Sequence, residues 1–219
     1  TRLAAFLQAT HWKVLYGINL KTNTAANAAS EAAYAAKTLG SSLLAFEIGN
    51  EPDFYTTESK YEASYSAYVA AIKAKVSTAV FDGPGASDRY PGWATPFAQH
   101  KKNNSLAVLS THMYIGSNST ATIAQMLASN KSGKLPNGEA TLGNAKQANG
   151  ISQWRMTEAN SYFRGGKSGV SNVEAASLWS LDFMYGIAAH SGSGVNFHGG
   201  NSNQFKLYYS PITFSGSNP

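Results

Sequence analysis

Phe46-Glu47-Ile48-Gly49-Asn50-Glu51-Pro52 is the stretch from which the rest of the chain can be read. An apolar run beginning at Leu43 stops at Gly-Asn-Glu-Pro. That is the pattern of a buried strand closed by a Gly/Pro turn, which delivers Asn50 and Glu51 to the strand's C-terminal rim. Far along the chain, Trp154-Arg155-Met156-Thr157-Glu158-Ala159-Asn160 repeats the arrangement, with Glu158 following a strand-like run over Ile151–Thr157. A single Glu at a strand end is ordinarily a solvated rim residue or a cap. Two of them, distant in sequence and each closing a strand, make the carboxylate pair that hydrolysis of a glycosidic bond requires.

Outward from these two segments, strands and helices alternate. Residues 12–19, 43–49, 79–85, 106–114, 151–157 and 194–200 read as strands that turn polar at their C-terminal ends, the third broken by a Gly/Pro turn. Residues 1–9, 24–39, 58–77, 93–100, 121–129 and 172–189 read as helices, with some helix at 139–148 inside a surface connection over 130–150. The 24–39 helix places Tyr34, Ala35 and Leu39 on one side, and Tyr61, Tyr65, Tyr68, Val69 and Ile72 are spaced for helix packing. The 172–189 helix carries Ala176, Leu178, Trp179, Leu181, Phe183, Met184 and Ile187 as its apolar face. Trp93, Trp154 and Trp179 are expected in the core, and Lys206–Tyr209 reads as strand-like in a loop or at an edge.

This alternation predicts parallel βα units with right-handed crossovers, an α/β fold. A doubly wound sheet would carry a Gly-rich turn after its first strand, and Tyr16-Gly17-Ile18-Asn19-Leu20 is not one. Polar residues at every strand end favour the (β/α)8 barrel, whose sites are built at that face. The units found fall two short of the eight that close a barrel, so an incomplete barrel is expected.

Bulk properties exclude several classes. The 219 residues, 43% hydrophobic and 13% charged, suit one domain with a real core. No apolar run approaches the roughly 18 residues of a membrane span. The net charge is +5, and the 17 basic residues are scattered, which does not argue for nucleic acid. There is no cysteine, hence no disulfide framework; the five histidines lack metal-ligand spacing, and no cofactor motif is present. Low charge with abundant Ser, Asn, Thr, Gly and Tyr points weakly to a secreted protein. Thr1 enters directly into a helical pattern without a leader, and the chain stops at Ser215-Gly216-Ser217-Asn218-Pro219, so a fragment is expected.

Gly49-Asn50-Glu51-Pro52 after a strand, followed by a second Glu at a strand end, resembles the clan of retaining (β/α)8 glycosidases. Within it, Tyr16–Leu20, Phe46–Pro52, Phe81–Pro84, Thr111–Tyr114 and Thr157–Gly166 are similar to segments of the heparanase and β-glucuronidase family, glycoside hydrolase family 79. The resemblance implies that residues 1–219 hold barrel strands three to eight, without the first two βα units or the family's C-terminal β-sandwich. The missing strands would come from another segment or chain. It implies Glu51 as acid/base and Glu158 as nucleophile, Asn50 on the sugar 2-hydroxyl, and Tyr114 orienting the nucleophile. His112 would line the pocket or fix Glu51, while Asn19, Asn160 and His198 would touch the sugar. Tyr162, Phe163, Gly165 and Gly166 would form the uronate-binding segment. The family's tyrosine falls here on Phe163, and Arg164 stands where a glycine is common; a guanidinium there could pair a carboxylate bidentately. Glu47 faces opposite to Ile48 and carries no assigned role.

The expected activity is double-displacement hydrolysis of terminal β-linked glucuronic acid, with a carbohydrate substrate and no cofactor or metal. An endo-acting heparanase-like enzyme would need basic runs for sulfated chains, and these are absent. A different retaining glycosidase, such as an arabinofuranosidase, would keep both Glu residues. A catalytically silent carbohydrate-binding fragment is the remaining alternative.

Overall fold

The computed structural model describes residues 1–87, 90–200 and 206–211. The elements alternate as the sequence predicts: α1 (Arg2–Thr10), β1 (Val14–Ile18), α2 (Ala25–Leu39), β2 (Leu43–Ile48), α3 (Glu58–Lys75), β3 (Phe81–Ala86) and α4 (Ala94–Lys101) come first. They are followed by β4 (Leu106–Ser117), α5 (Ile123–Ser129), α6 (Lys134–Ala148), β5 (Gln153–Phe163), α7 (Glu174–Ala189) and β6 (Val195–Phe197). The six strands form one sheet in the order β1-β2-β3-β4-β5-β6, and the pairs β1/β2, β2/β3, β3/β4 and β5/β6 are parallel. Sequential parallel neighbours joined through helices are the order of a (β/α)8 barrel with units missing. By contacts the chain divides into two compact units, Thr1–Thr111 with Ala145–Gln153, and His112–Asn144 with Trp154–Pro219. No helix among the described residues is long and apolar enough to cross a membrane.

In the first unit, helix ends follow local chemistry. Thr24 and Thr57 cap α2 and α3 by accepting from the Asn27 and Lys60 N–H groups, and Gly40, at φ 54°, closes α2. Every residue of β3 is buried, as in a parallel strand covered on both faces, while β1 and β2 are only partly covered. The α3 tyrosines pack as their spacing predicts: Tyr65 meets Phe97 edge-on at 4.9 Å, and Tyr61 lies 5.6 Å from the same ring. The Tyr61 hydroxyl donates to the Ile48 carbonyl at 3.1 Å, fastening the end of β2 from below. α2 departs from expectation in one respect. Its buried face is Ala28, Ala29, Ala32, Ala35 and Leu39, while Tyr34 is exposed. β3 also runs through Gly83-Pro84 to Ala86 instead of breaking there.

The second unit holds the larger departures. α6 begins at Lys134, with Pro136 in its first turn where no intrahelical donor is lost, and it buries Leu135, Glu139 and Leu142. The 130–150 connection is therefore largely a packed helix. α7 buries only Trp179, Phe183 and Ile187 of its apolar residues. Leu178, Leu181 and Met184 are 53%, 46% and 42% exposed. Trp179 stacks on Phe183 at 5.2 Å, and both meet Phe197 of β6 edge-on. Trp154 and Trp179 are core as expected, while Trp93, in the first unit, is only half-buried. Residues 206–209 form a turn and not a strand.

Glu139 is a buried acid set against Gly186 of α7, so closely that a Cβ at that glycine would meet its carboxylate oxygen at 2.7 Å. Burial pushes its pKa from 4.5 up to about 7. The folded state thus holds this proton more tightly than the unfolded chain. The resulting stabilisation is complete below about pH 4.5 and is lost as pH rises through about 7. Thermal unfolding should therefore show Tm falling between pH 5 and 8, by a free energy on the order of 2 kcal/mol. Glu139→Gln should flatten that slope; a Tm profile identical to that of the parent would show that Glu139 does not titrate in this range.

Candidate active site

In the first unit, β2 ends at Ile48 and the chain turns sharply. Gly49 adopts φ 85°, and Glu51 itself takes φ 44°, a conformation uncommon for a residue with a side chain. Such strain persists only where surrounding bonds over-determine it. Here the Gly49 N–H donates to the Ile18 carbonyl at 2.9 Å, the Glu51 N–H to the Gly85 carbonyl at 3.0 Å, and the Phe54 N–H to the Glu51 carbonyl at 3.1 Å. The Tyr55 hydroxyl accepts from the Asn50 N–H and sits so near Gly49 that a Cβ there would lie 3.0 Å from it. Asn50 and Glu51 are thus presented on a fixed turn just past the strand end, as the sequence predicts. Asn19, at the end of β1, is exposed; its side chain donates to the Thr22 hydroxyl at 2.8 Å and accepts from the Thr22 N–H at 3.1 Å.

In the second unit, Glu158 lies within β5, not at its end, because β5 continues to Phe163. The β5/β6 register pairs Met156 with Val195 and Ala159 with Phe197, so β5 carries one extra residue at Thr157-Glu158. That is a β-bulge, a device that re-aims a side chain and recurs beside active sites. The Tyr114 hydroxyl, from β4, donates to Glu158 Oε1 at 2.8 Å. Burial and the adjacent carboxylate raise the Tyr114 pKa far above its ordinary value, so it remains a donor at any working pH.

A further hydroxyl joins this pair. Tyr209 is buried, its ring 6.4 Å from that of Tyr114; its oxygen accepts from the Gly165 N–H and lies 2.7 Å from His198 Nδ1. Tyr209 and Tyr55 were not singled out from sequence. Tyr209 arrives from an irregular segment and Tyr55 from a turn, so neither carries a periodicity that marks it. Asn160 donates to the His198 carbonyl at 2.9 Å and accepts from the Ser161 N–H at 2.8 Å. His112 is buried in β4. Tyr162 is also buried and donates to the Thr122 carbonyl at 2.9 Å, whereas Phe163 is 40% exposed. Arg164, Gly165 and Gly166 follow with positive φ values of 60°, 85° and 75°. Gly166 is obligatory, since a Cβ there would sit 2.6 Å from Ser171 and 3.0 Å from the Tyr209 ring.

Tyr114→Phe should remove the donor that holds Glu158 Oε1 in place. The expected result is a loss of roughly 10- to 100-fold in kcat at nearly unchanged Tm. A kcat unchanged by the substitution would show that the phenol does not position this carboxylate.

No protein-family model matches the sequence, and no curated protein sequence matches it. Solved structures do. The chain is similar to a 4-O-α-L-rhamnosyl-β-D-glucuronidase from Fusarium oxysporum 12S (TM-score 0.76, 23% identity), covering 95% of this chain and 48% of that one. It is similar to a family 51 α-L-arabinofuranosidase from Bifidobacterium longum (TM-score 0.71, 16% identity), covering 100% of this chain and 52% of that one. A GH39 β-xylosidase from Caulobacter crescentus gives a TM-score of 0.60 at 13% identity, with 85% of this chain and 40% of that one covered. The chain spans about half the length of these proteins or less. At these identities the likeness is one of fold: the backbone is that of part of a (β/α)8 barrel.

Proposed function

We propose that the chain is the catalytic part of a retaining glycoside hydrolase that cleaves β-glucuronide bonds. The observation that carries this reading is the Tyr114 hydroxyl donating to Glu158 Oε1 at 2.8 Å on a bulged strand. A carboxylate held in one orientation by a phenol that stays protonated is fitted to act as a nucleophile. In the first step Glu158 attacks the anomeric carbon while Glu51 protonates the departing glycosidic oxygen, leaving a glycosyl ester on Glu158. In the second step Glu51, now ionised, takes a proton from water, whose oxygen attacks the same carbon and frees Glu158. Asn50 bonds the 2-hydroxyl, a contact that strengthens at the transition state.

The uronate preference is supported by the positive-φ turn over Arg164–Gly166 and by the likeness to a glucuronidase fold. The phenol that family resemblance would seek at Phe163 has a counterpart in Tyr209, whose hydroxyl meets the Gly165 N–H. The test is hydrolysis of 4-nitrophenyl β-glucuronide against the matching β-glucoside, β-xyloside and α-L-arabinofuranoside. At least a tenfold advantage in kcat/KM for the glucuronide is expected. Preference for a neutral glycoside would keep the mechanism and remove the uronate assignment.

A further inference from the structure

Two residues beyond Glu51, in the first unit, stands Asp53, a half-buried acid that the two-step reaction above does not use. Its Oδ1 accepts from the Ser87 N–H at 3.0 Å and its Oδ2 from the Ser87 hydroxyl at 3.2 Å. An acid at the start of a helical turn commonly serves the N–H groups of that turn. These two bonds instead cross to the chain just past β3. The segment they reach is held from its other side as well. The Gly85 N–H donates to the Ser110 hydroxyl at 3.1 Å, and the Thr111 hydroxyl donates to the Ala86 carbonyl at 3.0 Å, both from buried positions on β4. Gly85 takes φ 57°, and the β3/β4 register shifts between Pro84 and Ala86, so side-chain hydroxyls do the fastening where regular pairing stops. Residues 85–87 thus make a shelf tied to β4 on one side. On the other side it holds the Glu51 turn, through Asp53 and through the Glu51 N–H donating to the Gly85 carbonyl at 3.0 Å.

We infer that Asp53 is the positioning residue of the acid/base, the group that fixes where the Glu51 carboxyl stands. The inference rests on the glycosidase reading above and deepens it. Glu51 holds φ 44° and ψ 57°, a conformation that relaxes unless bonds on both sides of it persist. Before it, the Gly49 N–H is anchored on the Ile18 carbonyl. After it, the side-chain anchor is Asp53. Pro52 lies between the two acids, and its ring-fixed φ leaves little slack between the Asp53 clamp and the Glu51 backbone. A carboxylate suits the task because it offers two charged acceptors to two donors of one residue, a stronger arrangement than a neutral pair. Without it the turn keeps the bond from Glu51 to Gly85 but is free to pivot about that bond. A general acid must stay within hydrogen-bond reach of the oxygen it protonates, and a misplacement of about 1 Å costs on the order of 100-fold. The loss falls on one part of the reaction. Protonation matters where the departing oxygen is basic, and hardly at all where the leaving group departs as a stable anion.

The experiment measures kcat/KM of the parent, Asp53→Ala and Asp53→Asn on the phenyl and the 2,4-dinitrophenyl glycosides of whichever sugar the parent cleaves best. Asp53→Ala should lose roughly 30-fold on the phenyl glycoside and under about threefold on the dinitrophenyl one. Asp53→Asn, whose amide accepts from the Ser87 N–H and donates to the Ser87 hydroxyl, should return the phenyl glycoside to within about threefold of the parent. An equal loss on both substrates, or no loss on either, would overturn the positioning role and leave the glycosidase reading standing. If the parent cleaves neither substrate, the glycosidase reading fails, and hydrogen exchange of the Glu51 amide, followed by NMR, decides on the clamp alone. Faster exchange in Asp53→Ala, restored in Asp53→Asn, upholds Asp53 as the residue that holds the turn; exchange equal to that of the parent overturns it.

Discussion

Replacing Glu158 by Gln should lower kcat on an aryl β-glucuronide by about 10,000-fold, equivalent to about 5.5 kcal/mol of activation free energy. The amide keeps the shape and still accepts from Tyr114, so Tm should move little while the attack on the anomeric carbon is lost. Glu158→Ala gives a sharper diagnosis, because it leaves room for azide at the vacated position. If Glu158 is the nucleophile, azide displaces the aglycone once, with Glu51 protonating the leaving group, and the product is the α-glycosyl azide. If the two roles are exchanged, azide instead resolves the glycosyl–enzyme intermediate and the product is the β-azide. Residual activity above a few per cent in carefully purified Glu158→Gln protein would remove this residue from the chemistry altogether.

The largest expected effect on stability comes from Trp154→Ala. This indole is fully buried, donates from Nε1 to the His190 carbonyl at 2.8 Å, and fills the notch left by Gly192, where a Cβ would lie 2.7 Å from the ring. Truncation leaves a cavity and an acceptor without its donor, at a cost of about 4 kcal/mol. For a chain of this size that corresponds to a drop of about 10 °C in Tm by calorimetry or circular dichroism. A drop under about 3 °C would mean that the surrounding helix ends collapse onto the space.

What was legible in the sequence had a period or a punctuation mark. The α3 tyrosines repeat at helical spacing and are buried; Gly49 and Pro52 bracket the turn that presents Asn50 and Glu51. α7 is apolar all round, so its sequence overstates the buried face. Leu178, Leu181 and Met184 look no different in sequence from Trp179, Phe183 and Ile187, and only packing partners separate them. β5 runs past its legible part because its second half, Ala159–Tyr162, mixes polar and apolar residues that are all buried, so alternation disappears where the strand continues. Tyr209 reaches Tyr114 from a segment with no regular structure, a long-range contact that no local pattern announces.

The extra residue in β5 changes the side-chain parity of that strand. Trp154 and Met156 are buried together, with the indole directed at the end of α7, and in an unbroken two-residue rhythm Glu158 would be the next member of their row. The bulge takes it out of that row and passes the place to Ala159, the residue actually paired with Phe197. The carboxylate's face is thus set by a count of residues, and Tyr114 then fixes its orientation. Deleting Thr157 would remove the bulge yet leave Glu158 one place after Met156 and off the buried row, with Ala159 still in it; regular pairing restored at the present length is what would turn the acid into that row.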